Sequence, residues 1–369
     1  MSKSFRLGIF LVLSACGGKT LDLGQPFVPR YSTPDTLDAA EADGGTSVPT
    51  AIASGQDYIT ELAIDATRIF WMTQSADPRK ADRNEISVVR SCAKANCGAT
   101  VVTYATYEFA GGLVINKSNV YWLTTILGPE LIVWCPIERC TGEPKFVGRD
   151  FVSRQFAVDD AHVYWVSPEA TLLKCPAEGC QGAPTVVAGP PNAFVGRLIL
   201  DDANVYWISR GEAPEATGSI MTVPKDGSAP PRSIVAGLHL PYSLAVDSQF
   251  AYWTETYSNG AVKRCPLTGC TGEPEVLASQ QTYARSIAVD GKDAYWATSL
   301  EVDLGRFGAL DRSPSDIFQC ARESCGSTAI PFLQHRDGVG TILLDATHVY
   351  WSSLAPNLEG AVLRMRRRP

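Results

Sequence analysis

Cysteine is the residue whose spacing most clearly spells out chemistry in this chain of 369 residues. Ten of its 11 cysteines form five pairs with one C-x4-C spacing: Cys92 and Cys97, Cys135 and Cys140, Cys175 and Cys180, Cys265 and Cys270, Cys320 and Cys325. Two chemistries suit such pairs, a disulfide across a hairpin turn and a thiolate metal site. Zinc needs four ligands in tetrahedral array, whereas each turn offers two and no histidine lies near by. Disulfides are the expected state, which calls for an oxidising compartment, and no metal or cofactor is expected.

The remaining candidates for chemistry are scattered. No G-x-S-x-G elbow, H-E-x-x-H pair, P-loop or G-x-G-x-x-G fingerprint occurs. Of the four histidines, His162 and His348 take a slot that Asn119, Asn204 and Arg68 fill elsewhere, so they read as turn residues. His239 and His335 precede expected strands, where a ligand-facing role is open to them. Glu61, Arg154, Arg197, Tyr242 and Arg285 each stand four or five residues before a recurrent Asp or its equivalent. Three arginines brought to one axis would make a positive mouth suited to a carboxylate or phosphate. The competing reading pairs each arginine with a carboxylate of its neighbour.

What must position these residues is a repeat. Seven times an aliphatic triplet is followed by Asp or Asn, three variable residues, an apolar residue, an aromatic and Trp. Two of the copies are Leu62-Ala63-Ile64-Asp65 leading to Phe70-Trp71 and Ile342-Leu343-Leu344-Asp345 leading to Tyr350-Trp351. The shared tryptophans are Trp71, Trp122, Trp165, Trp207, Trp253, Trp296 and Trp351, 42 to 55 residues apart. That period fits a four-stranded propeller blade. Strand a ends at the Asp, strand b carries the aromatic pair, and strands c and d have the forms GAVKRC (260–265) and PEVLAS (274–279). The fold class expected is all-β, a seven-bladed propeller of four-stranded antiparallel blades over residues 48–369. Repeat seven lacks a strand d, and residues 49–65 align without gaps on 274–290, so the N-terminal segment 49–54 is expected to close the ring against 360–365. The recurrent Asp reads as a turn residue whose carboxylate accepts backbone N–H groups.

At the aromatic slot the repeats resemble the YWTD type of β-propeller found in extracellular receptor domains. Two departures stand out: the Asp after the Ser or Thr is missing, and there are seven copies where that family has six. The resemblance implies the fold and little of the function. At the N-terminus Lys3 and Arg6 precede an apolar run from Leu7 to Ala15, which has the charge and length of a signal peptide, residues 1–15. The run ends in Leu13-Ser14-Ala15-Cys16, which resembles the lipobox of bacterial lipoproteins and implies lipidation of Cys16. Residues 16–47 are Gly- and Pro-rich with few aliphatics, so they read as a disordered linker. The location implied is the bacterial cell envelope, anchored to the lipid bilayer through Cys16, with the outer membrane favoured and either a periplasmic or a surface-facing orientation.

Composition narrows the partners. The 32 Lys and Arg against 39 Asp and Glu give a net charge of −7, so nucleic acid is not an expected partner. The C-terminal Arg366, Arg367 and Arg368 read as a solvated end. From the shared Trp to the Cys slot the gaps run from 10 to 24 residues, while from there to the next Asp or Asn they stay at 24 to 26. Variation therefore belongs to the b–c loops, which share a face with the d–a loops, and the longest belong to blades six and one. The expected function is a monomeric binding module for a protein, glycan or small anionic ligand. A hydrolase or lyase with its site at the channel mouth is the alternative, and whether the protein is an enzyme is left open.

Overall fold

Each copy of the repeat makes its first turn in the same way. The Asp at the end of strand a folds its side chain back so that Oδ1 accepts the N–H groups two and three residues on, at 2.6 and 2.7 Å for Asp65, and at 2.9 Å each for Asp345. Its own N–H donates to the carbonyl three residues on, as Asp159 does to His162 at 3.0 Å. The chain reverses in this Asx turn and strand b runs back along strand a. His162 and His348 sit in these turns as donors to Asp159 and Asp345, as the sequence led one to expect.

The computed structural model describes residues 48–74, 87–107, 110–125, 130–149, 156–189, 197–209, 217–299, 314–323, 325, 329–355 and 359–368. Cys16, the apolar run before it and the linker lie outside the described residues. The strands form seven four-stranded antiparallel sheets, six built from consecutive strands. Blade 5 shows the plan: strand a Pro241–Val246, b Phe250–Glu255, c Ala261–Pro266 and d Glu275–Ala278. In every blade strand a contacts strand a of the next, round to blade 1 against blade 7, so the sheets stand radially about one axis.

Alternation along the strands builds seven cores, each shared by two blades. All seven repeat tryptophans are fully buried. The aliphatic triplet interlocks in a fixed way: its middle residue in one blade meets the last residue of the next. Ala63 and Ile115 pack on one core, Val114 and Val158 on the following one, and Leu343 and Ile64 on the core that joins blade 7 to blade 1. A single sheet of this kind exposes two apolar faces, and closing the ring removes both from water. At about 25 cal/mol per Å² of apolar area this is the main stabilising term.

The closure is the strand exchange expected from the alignment. Residues Thr50–Gln56 add to blade 7 as its outermost strand, with Thr50 opposite Arg364, Ala51 opposite Leu363, Ala53 opposite Val362 and Gln56 opposite Gly360. The turn from this strand into blade 1 repeats the internal turn from blade 5 into blade 6. Gln56 Oε1 accepts the Trp71 indole N–H at 3.1 Å, as Gln281 Oε1 accepts that of Trp296 at 2.7 Å. Their amide groups donate to Ser54 O and Ser279 O at 3.0 and 2.9 Å.

All five cysteine pairs are bonded within their own c–d turns, with Cα separations of 4.8 to 5.4 Å. These turns also stitch blades together, since Cys180 N–H donates to Val147 O of blade 2, and Cys270 N–H to Ile234 O of blade 4. Blade 4 has no cysteine there. Its turn uses Gly227 at φ +72°, lying so close to Val187 O of blade 3 that a Cβ would meet that oxygen at 3.0 Å.

Candidate functional site

Up-and-down strands put the a–b and c–d turns on one face of the ring and the b–c and d–a connections on the other. On the second face the described residues form part of a rim around the channel. Glu61 lies in strand a of blade 1, Tyr58–Ile64. Arg197 precedes strand a of blade 4 and is exposed. In a ring of seven, blade 4 stands across the axis from blade 1, so these two charges face each other over the channel. Burial pushes the Glu61 carboxyl above its ordinary value, and the Arg197 guanidinium pulls it partly back.

Blade 5 adds the aromatic part of the rim. Tyr242 and Leu240 are 44% and 42% exposed there. His239, at the end of Arg232–His239, sets its ring edge-on to Tyr257 with centroids 4.6 Å apart. Arg285 is half-buried before strand a of blade 6, its N–H donating to Ala297 O at 2.8 Å. Arg154 lies outside the described residues, as do most of the long loops of blades one and six. His335 falls within strand Ile330–Arg336, and its side chain is likewise outside them. The structure thus relates Glu61 to Arg197 across the channel and His239 to Tyr257, while Tyr242 and Arg285 stand on neighbouring blades of the rim. Among the described residues no group of three His, Cys, Asp or Glu side chains converges.

The opposite face holds an arrangement that sequence reading missed. Four recurrent Asp residues receive a cation from the next blade round. Lys225 Nζ lies 2.8 Å from Asp159 Oδ2 and Lys94 Nζ 2.8 Å from Asp345 Oδ2, while Arg322 pairs with Asp247 and Arg367 with Asp290. A tyrosine hydroxyl joins the same oxygen in several copies, Tyr350 on Asp345 and Tyr252 on Asp247, both at 2.7 Å. Burial opposes ionisation at all four carboxyls. Hydrogen bonds from cation, tyrosine and turn amides outweigh it, holding Asp159, Asp247, Asp290 and Asp345 below the usual carboxylate range.

The signal was present in the sequence: each cation stands two residues after the Cys slot, where blades 2, 3 and 5 carry Ile137, Ala177 and Leu267. The reading of Arg367 as part of a solvated end is corrected by the same observation. Arg367 fills the cation slot of blade 7 and also reaches Asp293 at 2.9 Å, and Arg368 donates to Pro331 O at 2.9 Å. Arg367 is thus drawn out of solvent against blade 6, whereas Arg366 and Arg368 remain exposed.

Solved structures resemble this chain at the level of the fold. The WD40 β-propeller domain of Doa1 matches with a TM-score of 0.57 at 11% identity, over 86% of this chain and 97% of that one. The β-propeller domain of the Trilobed protease from Pyrococcus furiosus matches with a TM-score of 0.58 at 9% identity, over 86% and 96%. That domain is described as having an open velcro topology, whereas the present ring is closed by Thr50–Gln56. A puromycin-hydrolyzing peptidase of Mycobacterium tuberculosis gives 0.54 at 11% identity, and this chain spans only 52% of its length. No protein-family model matches the sequence, and no curated protein matches it. At such identities the likeness carries the fold and no activity.

Proposed function

We propose that the protein is an exported binding module, lipid-anchored through Cys16, which takes a protein, glycan or small anionic ligand on the face that carries the b–c loops. One observation carries this reading: length variation is confined to the face on which Arg197, Leu240, Tyr242 and the His239–Tyr257 pair meet solvent around the channel. A rigid ring that presents variable loops, exposed aromatics and a guanidinium is built for recognition. The lipobox-like Leu13-Ser14-Ala15-Cys16 supports attachment to the bacterial envelope, and the five disulfides support an oxidising compartment.

The test is a binding screen of acidic oligosaccharides against the wild type and against a variant with Arg154, Arg197 and Arg285 replaced by Ala. Retention by the wild type alone, with equal melting temperatures, supports the reading; equal retention by both proteins removes these arginines from it. The alternative, a hydrolase or lyase at the channel mouth, rests on Glu61, whose raised pKa suits a general acid. Turnover of any retained ligand, lost in Glu61→Gln, would favour it.

A further inference from the structure

In every blade one residue of strand c lies directly across the ladder from the repeat tryptophan. In five blades it is apolar: Val133, Leu173, Met221, Phe318 and Leu363. In blades 1 and 5 it is basic, Arg90 opposite Trp71 and Lys263 opposite Trp253.

Blade 5 answers its cation with a buried charge. Glu255, 1% exposed, stands where the other blades have Ser or Thr two positions after Trp. It holds Lys263 Nζ at 3.0 Å on Oε1 and 2.9 Å on Oε2, and it faces the Trp253 indole N–H at 3.4 Å. In blade 1 the same two kinds of donor meet a neutral acceptor. Gln56 Oε1 takes Arg90 Nη1 at 3.2 Å and the Trp71 indole N–H at 3.1 Å. Among the described residues Arg90 is half-buried and makes no ion pair, whereas its counterpart Lys263 has one. Leaving a cation so placed is unfavourable unless something completes it.

Arg90 opens onto a cleft of about 310 Å³ at the seam where the closing strand meets blade 1, lined also by Gly55, Gln56, Asp57, Trp71 and Val101. Phe318 shows what fills the corresponding slot in blade 6, where it stacks on Trp296 with centroids 5.9 Å apart. Asp57 brings a second charge, of opposite sign, to the same wall. We propose that this seam is a binding site for a small α-amino acid. Its carboxylate takes the planar fork of Arg90, as Glu255 takes Lys263, and its ammonium faces Asp57. The cleft's size is at the lower limit for small-molecule pockets, about 300 Å³, which suits a single amino acid and not a polymer. The site is separate from the channel mouth and does not depend on the ligand proposed there.

Calorimetric titration of the whole protein tests it with glycine, alanine and glutamate as probes and acetate and methylamine as one-ended controls. At least one amino acid is expected to bind saturably, and each control at least about tenfold more weakly. Arg90→Leu installs the residue of blades 3 and 7, and Gln56→Glu supplies the counter-charge from within. Both should abolish the binding heat while the melting temperature stays within a few degrees of the wild type. No saturable heat with any of the three amino acids, or undiminished binding by Arg90→Leu, overturns the site. Acetate binding as tightly as glycine overturns the assignment to an amino acid.

Discussion

Asn116 shows how finely single residues are matched to their surroundings. It replaces the recurrent Asp in blade 2, and the next blade has Ala177 where others offer a cation. Its Oδ1 still accepts the turn amides of Ser118 and Asn119, at 2.9 and 2.8 Å. Its Nδ2 donates to Asp159 O at 3.1 Å and Tyr121 OH at 3.2 Å. A carboxylate would set a negative oxygen against that carbonyl with no cation to relieve it. Asn116→Asp should therefore lower stability by about 1–3 kcal/mol, measurable by urea denaturation at pH 7. The clamps give the opposite case. Arg322 and Asp247 are 12% and 10% exposed, so Arg322→Ala strands a buried carboxylate and should cost about 3 kcal/mol. The pH dependence follows from the direction of the shift. The folded-state pKa of Asp247 lies below its unfolded value, so the stabilisation is complete above the unfolded pKa, near 3.8, and is lost as pH falls through the folded one. Melting temperatures of wild type and Arg322→Ala, taken from pH 6 down to pH 2, should converge at the acid end. A constant gap would show that the ion pair is not the source.

At the scale of the element, the closing strand decides whether seven sheets make one ring. Thr50–Gln56 covers the open edge of Gly360–Arg366, and its Gln56 holds the tryptophan of blade 1. Deleting residues 48–55 removes the strand that covers this edge and that positions Gln56, leaving an edge strand with unpaired N–H and C=O groups. The expected outcome is a melting temperature lower by about 10 °C or more and a concentration-dependent tendency to associate, followed by differential scanning calorimetry and light scattering. An unchanged melting temperature would mean that the inter-blade cores alone hold the ring. The disulfides act at this scale too. Each closes a very short loop, so the loop-entropy model gives about 2 kcal/mol apiece. Their turns also anchor one blade to the strand d of its predecessor through Cys180 and Cys270.

For the whole molecule, the two faces have different duties. One carries the Asx turns, the disulfide turns and four cation clamps that tie one blade to the next. The other carries connections of unequal length. Insertion of four residues into the b–c connection between strands Asn119–Thr125 and Glu130–Pro136 should move the melting temperature by no more than about 2 °C. The same insertion into the c–d turn at Lys225-Asp226 should lower it several-fold more, because Lys225 would lose Asp159. Equal shifts would contradict the division of labour between faces.

How far the sequence alone reached follows from which interactions are local. The Trp period, the triplet ending in Asp and the paired cysteines are short-range patterns that fix strands, turns and disulfides within one blade. Identical patterns must pack in identical ways, so the number of blades and the exchange of the first strand were legible too, down to the match of Gln56 with Gln281. The clamp cations stood in the sequence two residues after each Cys slot, but their partners lie 66 to 251 residues away. Only the radial arrangement of blades brings Lys94 to Asp345, Arg367 to Asp290 and Arg197 to the channel opposite Glu61. The surroundings of Arg90 were decided in the same way. Its likeness to Lys263 is visible in the repeat alignment, whereas its hydrogen bond to the neutral Gln56 depends on which side chain the neighbouring blade turns toward it, and that is settled by closure of the ring.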